Sequence, residues 1–273
     1  MSSRVAVGRA RVVREIRAAA PLMSQLSAPA TARGPWLTAA VNATRVGLVR
    51  PQLRAVVVEA HHQGRPSGAA LLSLRRRGAT TEVRLLGDGT APPPPGGPPR
   101  RLLAADPDTA GQLAAAVVAE VATIRGPWRL ALTGLPLGDP TAAALAARLG
   151  TGASFATVRS RALRDELDDV GEVQRSCDAA ALEQWLPDFL DHRPAGGSRP
   201  VLRALVRTHA AIGLLEHAVV RDGDRVVAGL LTLLGPDGRR PWWGWTEVGG
   251  LDEAPGRPLV SLTASSAGLS RRR

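Results

Sequence analysis

The chain has 273 residues, 35 basic and 24 acidic side chains, 44% hydrophobic residues and 3% aromatic ones, material for two modest domains or one large one. No stretch approaches the ~18 consecutive apolar residues of a membrane span, and the N-terminus lacks the apolar core of a secretory signal, so a soluble, cytoplasmic protein is expected. A single cysteine, Cys177, excludes an intramolecular disulfide framework and a multi-thiolate metal site, and no metal is expected.

Residues 1–20 are Arg-rich with interspersed Val and Ile, compatible with a strand or a short helix. Pro35 and Trp36 open a short helix running to about Val46. Three strands rich in branched residues follow, at 54–60, 68–75 and 81–86, the first two joined as a hairpin by the turn cluster Gln63 to Pro66. Residues 87–101, with four prolines in a row at 92–95, cannot be regular structure and predict a surface loop. Beyond it Asp106 or Asp108 caps a helix whose Leu113, Val117, Val121 and Ile124 form one buried stripe. A strand at 128–133, a helix from Asp139–Pro140 to Leu149 and a strand at 153–163 complete the first half, and the acidic stretch 165–176 reads as a linker.

The second half begins again with helices. Leu182, Trp185, Leu186, Phe189 and Leu190 lie at helical spacing, with Pro187 expected to kink or interrupt the run. A second helix covers 200–212, strands cover 216–221, 226–234 and 241–248, and a last helix is predicted over 258–269, before the arginines 271–273. The expected division is therefore 1–163, a linker at 164–177, and 178–273.

Every basic side chain is Arg, and the abundance of Ala, Gly, Pro and Arg is the footprint of a GC-rich, bacterial genome. The charge is uneven: residues 1–158 hold 19 Arg against 8 acids, residues 159–273 hold 16 against 16. A basic half attracts phosphate-bearing ligands. Arg75 to Arg77 and Arg100–Arg101 would supply a nucleic-acid surface, but the exposed aromatics that stack bases are missing, which argues against that partner.

Both halves run helix, hairpin, third strand, and their hairpins match at an offset of 159 residues: Gly64, Ala69, Leu72 and Leu74 correspond to Gly223, Ala228, Leu231 and Leu233. This order, with Pro35-Trp36-Leu37, Leu85-Leu86-Gly87, Trp128 to Pro136 and Val220 to Leu233, resembles the GNAT acyltransferase superfamily in the tandem arrangement of its Fem-like and cellulose-biosynthesis-associated (CelD-like) branch. The resemblance implies a mixed α/β fold of two tandem domains. It also implies transfer of an acyl group to an amine from acetyl-CoA or another acyl-CoA co-substrate, or of an aminoacyl group from tRNA in the Fem branch.

A GNAT site holds the CoA pyrophosphate on backbone N–H groups at a helix N-terminus, where unpaired donors and the helix dipole favour anions. Two stretches fit the spacing of that loop, Arg65 to Ala70 and Arg84 to Gly89, in a composition rich enough in Arg, Gly and Ala to produce such matches by chance. The first runs into a strand. The second precedes a proline-rich loop and carries Asp88 where phosphate should sit. In the second half Gly249, Gly250, Gly256 and Arg257 precede Pro258, a suitable first helical residue, and are the better candidates for cofactor binding. Glu247, beside Trp242, Trp243 and Trp245, is the candidate general base, since a carboxylate among apolar rings has a raised pKa. The bland alternatives are an outward-facing Glu247 and a Trp cluster that packs the sheet. His61 and His62 flank a turn, His192, His209 and His217 lack metal-ligand spacing, and Cys177 beside Asp178 reads as unreactive.

If 258–269 is a helix, Ser270 and three arginines cannot supply the strands that should follow it, and the second domain is truncated. Such a chain would have no appreciable turnover alone and would leave strand 241–248 as an open edge prone to self-association. The competing reading is a non-catalytic interaction or regulatory module on a degenerate tandem fold.

Overall fold

The structure is a computed structural model that describes residues 2–44, 50–60, 64–195, 197–236 and 238–269. The expected residues His61 and His62, and the expected helix end at Val46, lie outside the described residues. The chain divides into two compact units that interleave in sequence: 1–88, 100–158 and 258–273 form the first, and 89–99 with 159–257 form the second.

In the first unit β1 (Ser2–Val7) leads into α1 (Arg9–Ala18), α2 (Ala20–Gln25) and α3 (Gly34–Ala43). The strands β2 (Gln52–Glu59), β3 (Pro66–Arg77) and β4 (Thr80–Leu85) form an antiparallel meander, and the two-residue β5 (Leu103–Ala104) adds to β3. Then come α4 (Pro107–Ala122), β6 (Trp128–Pro136), α5 (Pro140–Leu149) and β7 (Ala153–Asp165). The sheet order is β1-β2-β3-β4-β6-β12-β7, where β12 (Leu251–Ser265) returns from the far end of the chain and pairs antiparallel with β6.

Alternation along the strands builds a core on each face. Val56, Val58, Leu72, Leu74, Leu130 and Leu132 pack beneath Leu113 and Val117 of α4 and Leu145 of α5. Their neighbours Ala55, Val57, Ala69 and Leu71 pack beneath Val12, Ile16, Met23 and Leu37 of the first three helices. Asp106, one of the two caps expected for α4, caps it through its side chain, and Asp139 caps α5 in the same way.

The second unit repeats the first four strands of that plan in shorter form. β8 (Val173–Ser176) leads into α6 (Ala179–Asp191) and α7 (Arg199–Ala211), followed by the meander β9 (Leu215–Asp222), β10 (Arg225–Gly235) and β11 (Gly238–Thr246). The sheet order is β11-β10-β9-β8, all antiparallel, so β11 is an outer strand. Helix α6 continues through Pro187 without the expected interruption.

Two further expectations fail. The stretch 165–176 is no bare linker: it holds the end of β7, a 3-10 turn at 167–169 and the strand β8, whose Val173 pairs with Val220. Two of its acids are matched by an arginine of the stretch itself, Arg175 donating to both oxygens of Asp165 at 2.8 and 3.0 Å and to Asp168 at 2.6 Å. The segment predicted as a helix over 258–269 is strand, with only the short α8 (Ser266–Leu269) after it. The reason is a period of two: Val260, Leu262 and Ala264 are buried in the core against β6, with half-buried residues between them. The chain thus continues beyond β11 into the sheet of the first unit rather than into a helix.

Candidate functional site

Ligands of open α/β sheets bind beyond the carboxyl ends of parallel strands, where the strand order switches, so the candidate place is a parallel pair. Here β4 and β6 form that pair, the only parallel one among the described pairings, over Thr81↔Trp128 to Arg84↔Ala131. Past it β4 ends at Leu85, and a later stretch of the chain lies beside β6. The Arg100 backbone N–H donates to Gly134 O of β6 at 3.1 Å, and Arg100 Nη2 donates to Gly87 O at the end of β4 at 2.8 Å. Arg100 is 4% exposed; burial pulls its pKa down and Asp88, 3.9 Å away, partly offsets that. Pro98 and Pro99 hold the approach to Arg100 extended, which is the local reason the chain enters here as a strand-like segment. Between Thr31, Leu37, Leu71, Leu86 and Arg100 a cavity of about 20 Å³ remains, room for about one water.

The motif Arg84 to Gly89 is the turn that ends β4. Gly87 has φ +86, and a Cβ added there would lie 3.5 Å from Ala40 Cβ and 3.6 Å from Trp36 Nε1 of α3. Asp88 contacts Arg84 at 3.6 Å and accepts from the Thr133 hydroxyl at 3.4 Å. The next helix, α4, has its N-terminus closed: Asp106 accepts from Thr109 N at 2.7 Å and Thr109 Oγ1 at 3.0 Å, Pro107 has no N–H, and Asp108 adds a second carboxylate. The other motif fares as its sequence context suggests, since Gly68 lies inside β3, where an added Cβ would come 2.8 Å from Thr109 Cγ2.

In the second unit Gly249 (φ +90) and Gly250 (φ +82) form the turn from β11 to β12. Gly249 O accepts from the Thr246 hydroxyl at 2.5 Å, and Gly250 O accepts from Glu166 N at 2.9 Å. Gly256 and Arg257 do not precede a helix; both lie within β12. The Arg257 N–H donates to Gly96 O at 3.1 Å, its carbonyl accepts from Ser160 Oγ at 2.8 Å, and a Cβ on Gly256 would collide with that same hydroxyl. These four residues are therefore positions of turn geometry and close strand approach.

Glu247 lies just after β11 and pairs with Arg225, with the carboxylate side chain 48% exposed, so it faces solvent rather than apolar rings. The tryptophans pack: Trp242 stands edge-on to Trp243 at 4.7 Å and donates to Pro92 O at 2.9 Å, while Trp245 meets Phe189 edge-on at 4.9 Å and stacks with His192 at 4.3 Å. His209 and His217 are buried, and burial lowers the pKa of both. Cys177 is exposed and free, and among the described residues no His, Cys, Asp and Glu cluster is placed to hold a metal.

The residues present do not fit the pyrophosphate of a CoA. That group needs a cradle of unpaired N–H donors. The first unit closes it with Asp106 and Asp108, and the second follows its fourth strand with strand β12, not a helix. Arg100 is the residue the sequence conceals, an arginine after a proline run that reads as solvated and is in fact buried.

A meander of four antiparallel strands meeting a parallel fifth, with helices on both faces, is a mixed α/β fold. Residues 154–267 match the family described as acetyltransferase (GNAT) domain. Among solved structures, a conserved protein of unknown function from Bacteroides thetaiotaomicron VPI-5482 aligns over 96% of this chain and 99% of its own, at 8% identity and a TM-score of 0.51. A tandem GNAT protein from the clavulanic acid biosynthesis pathway aligns over 97% and 98%, at 15% identity and a TM-score of 0.43. FemX aligns over 85% of this chain and 58% of its own, at 12% identity and a TM-score of 0.44. No curated protein matches the sequence. No described helix is long and apolar enough to cross a membrane.

Proposed function

We propose that the chain is a GNAT-fold binding module of the cytoplasm, with no appreciable acyl-CoA turnover of its own. The observation that carries this reading is the capped N-terminus of α4, where the side chain of Asp106 already accepts from the Thr109 N–H and hydroxyl and Asp108 adds a second carboxylate. Buried Arg100, hydrogen-bonded to Gly134 O of β6 and to Gly87 O just past β4, supports it independently. Self-association through the outer strand β11 belongs to the same reading.

The second reading is acyl transfer to an amine, favoured by the family match over 154–267, a segment that includes Glu247. Glu247 would then act as general base once freed from Arg225. Calorimetry with acetyl-CoA, together with thiol-release assays on a panel of amines, separates the two. The expected result is no saturable binding below about 1 mM, a binding free energy weaker than about 4 kcal/mol, and no thiol release. Tight binding with turnover abolished by Glu247→Gln would establish the enzyme instead.

A further inference from the structure

The two units differ in charge far more than the two halves of the sequence do. The first carries 22 Arg against 8 acids, the second 13 against 16. Within the first unit the strand register collects part of that charge on one sheet face. Arg75 pairs with Glu82, Glu82 with Arg129 and Arg129 with Ser265, so these four side chains form a row across β3, β4, β6 and β12. One row along, Ser73, Arg84, Ala131 and Thr263 share the same face, and Arg77 extends it beyond Arg75. The intervening Leu74, Val83, Leu130 and Ala264 point the other way, into the core. Arg75 and Arg129 are exposed, Arg77 and Arg84 have 61% and 36% of their side-chain surface free, and Glu82 is the one carboxylate among them. Burial alone would raise the Glu82 pKa, but Arg84, Arg77 and Arg129 hold it below the usual range.

From these rows we infer that the face of β3, β4, β6 and β12 binds the phosphodiester backbone of a single-stranded nucleic acid, without reading its bases. Adjacent strands lie about 4.8 Å apart and alternate residues about 7 Å apart, so the guanidinium groups form a strip on which successive phosphates can each meet an Arg or a hydroxyl. Guanidinium and hydroxyl groups are the usual phosphate contacts. A protein partner is disfavoured because the two rows offer no aromatic or large aliphatic anchor. The two rows carry no ring on which a base could stack, which counts against base recognition there and not against backbone contact.

The test is anisotropy of fluorescein-labelled single-stranded RNA and DNA of mixed sequence on the full chain, over a range of salt. Four contacts predict a slope of log affinity on log salt of about −3, from roughly 0.7 per phosphate. Arg75→Gln with Arg129→Gln should remove about 1.4 of that slope, while Glu82→Gln should tighten binding several-fold. The triple change of Arg11, Arg14 and Arg17 to Gln, on the exposed face of α1, should leave both unchanged. The inference is overturned if the wild type shows no salt-dependent binding, if Glu82→Gln leaves affinity unchanged, if the α1 variant takes the loss, or if polyglutamate competes as well as RNA. A preference above about tenfold between RNA and DNA, about 1.4 kcal/mol, would overturn backbone-only recognition. None of these outcomes depends on whether the chain turns over an acyl donor.

Discussion

Gly249 and Gly250 separate a packing role from a ligand role at the level of single atoms. Both have positive φ, so alanine is strained at either position by about 1–2 kcal/mol. At Gly249 the added Cβ meets nothing closer than Val170 Cγ1 at 3.8 Å, whereas at Gly250 it lies 2.9 Å from Glu166 O and 3.0 Å from Leu167 Cα. Gly250→Ala should therefore cost about 2–4 kcal/mol and Gly249→Ala about 1, measured by urea unfolding. Equal small costs with altered acetyl-CoA binding would restore the phosphate-nest reading. The second residue-scale prediction concerns Asp165, whose side chain is 10% exposed. Burial would raise its pKa, but the paired Arg175 and the nearby Arg239 leave it below the ordinary value. A carboxyl depressed in the folded state binds its proton more tightly when unfolded, so its stabilisation is present above about pH 4 and is lost as pH falls through the folded value. Asp165→Asn should cost about 1–3 kcal/mol at pH 7 and flatten the loss of stability on acidification below pH ~4. A variant as stable as the wild type at pH 7 would sink the assignment.

The same contrast between polarity and structure recurs in whole elements. β12 places Leu262, fully buried, against Leu132 of β6. Leu262→Ala should then cost about 2–4 kcal/mol, where the same change on a solvent-facing helix would cost under about 1. Urea unfolding measures it, and slow hydrogen exchange at Val260 and Leu262 would mark the strand directly. The meanders β2-β3-β4 and β9-β10-β11 were legible in the sequence because branched residues run between turn-forming clusters. The capped helices α4 and α5 were legible because Asp-Pro pairs precede an apolar stripe. β12 was hidden by Pro258, a suitable first residue of a helix, although the alternation at 260, 262 and 264 was present. β8 was hidden because the partners that neutralise Asp165 and Asp168 are distant in role until the fold is known: Arg175 sits in the strand itself. The candidate site suffered in the same way. Spacing can find a glycine, but only tertiary structure tells whether donors are free, and the Asp106 that identifies α4 is also what closes it.

At the scale of the molecule, the chain's path predicts how a cut should behave. A division into consecutive domains would let proteolysis near residue 171 release an N-terminal half carrying its own complete core. The observed path differs, because the strand that lies beside β6 in the first unit is β12, from the far end of the chain. Val260, Leu262 and Ala264 supply part of that unit's core, and each fully buried Val or Leu contributes about 1.5–3 kcal/mol. A protease site placed in the exposed segment 170–172, between the 3-10 turn and β8, should therefore yield two fragments that stay together. They should co-elute on size-exclusion chromatography in native buffer and separate only in denaturant. After separation the N-terminal fragment should be prone to association, since β6 and β7 would each expose an unpaired edge where β12 had been. Separation of the two pieces in native buffer, with the N-terminal one monomeric and folded, would show that β12 is dispensable to the first unit and that the chain is built from consecutive domains after all.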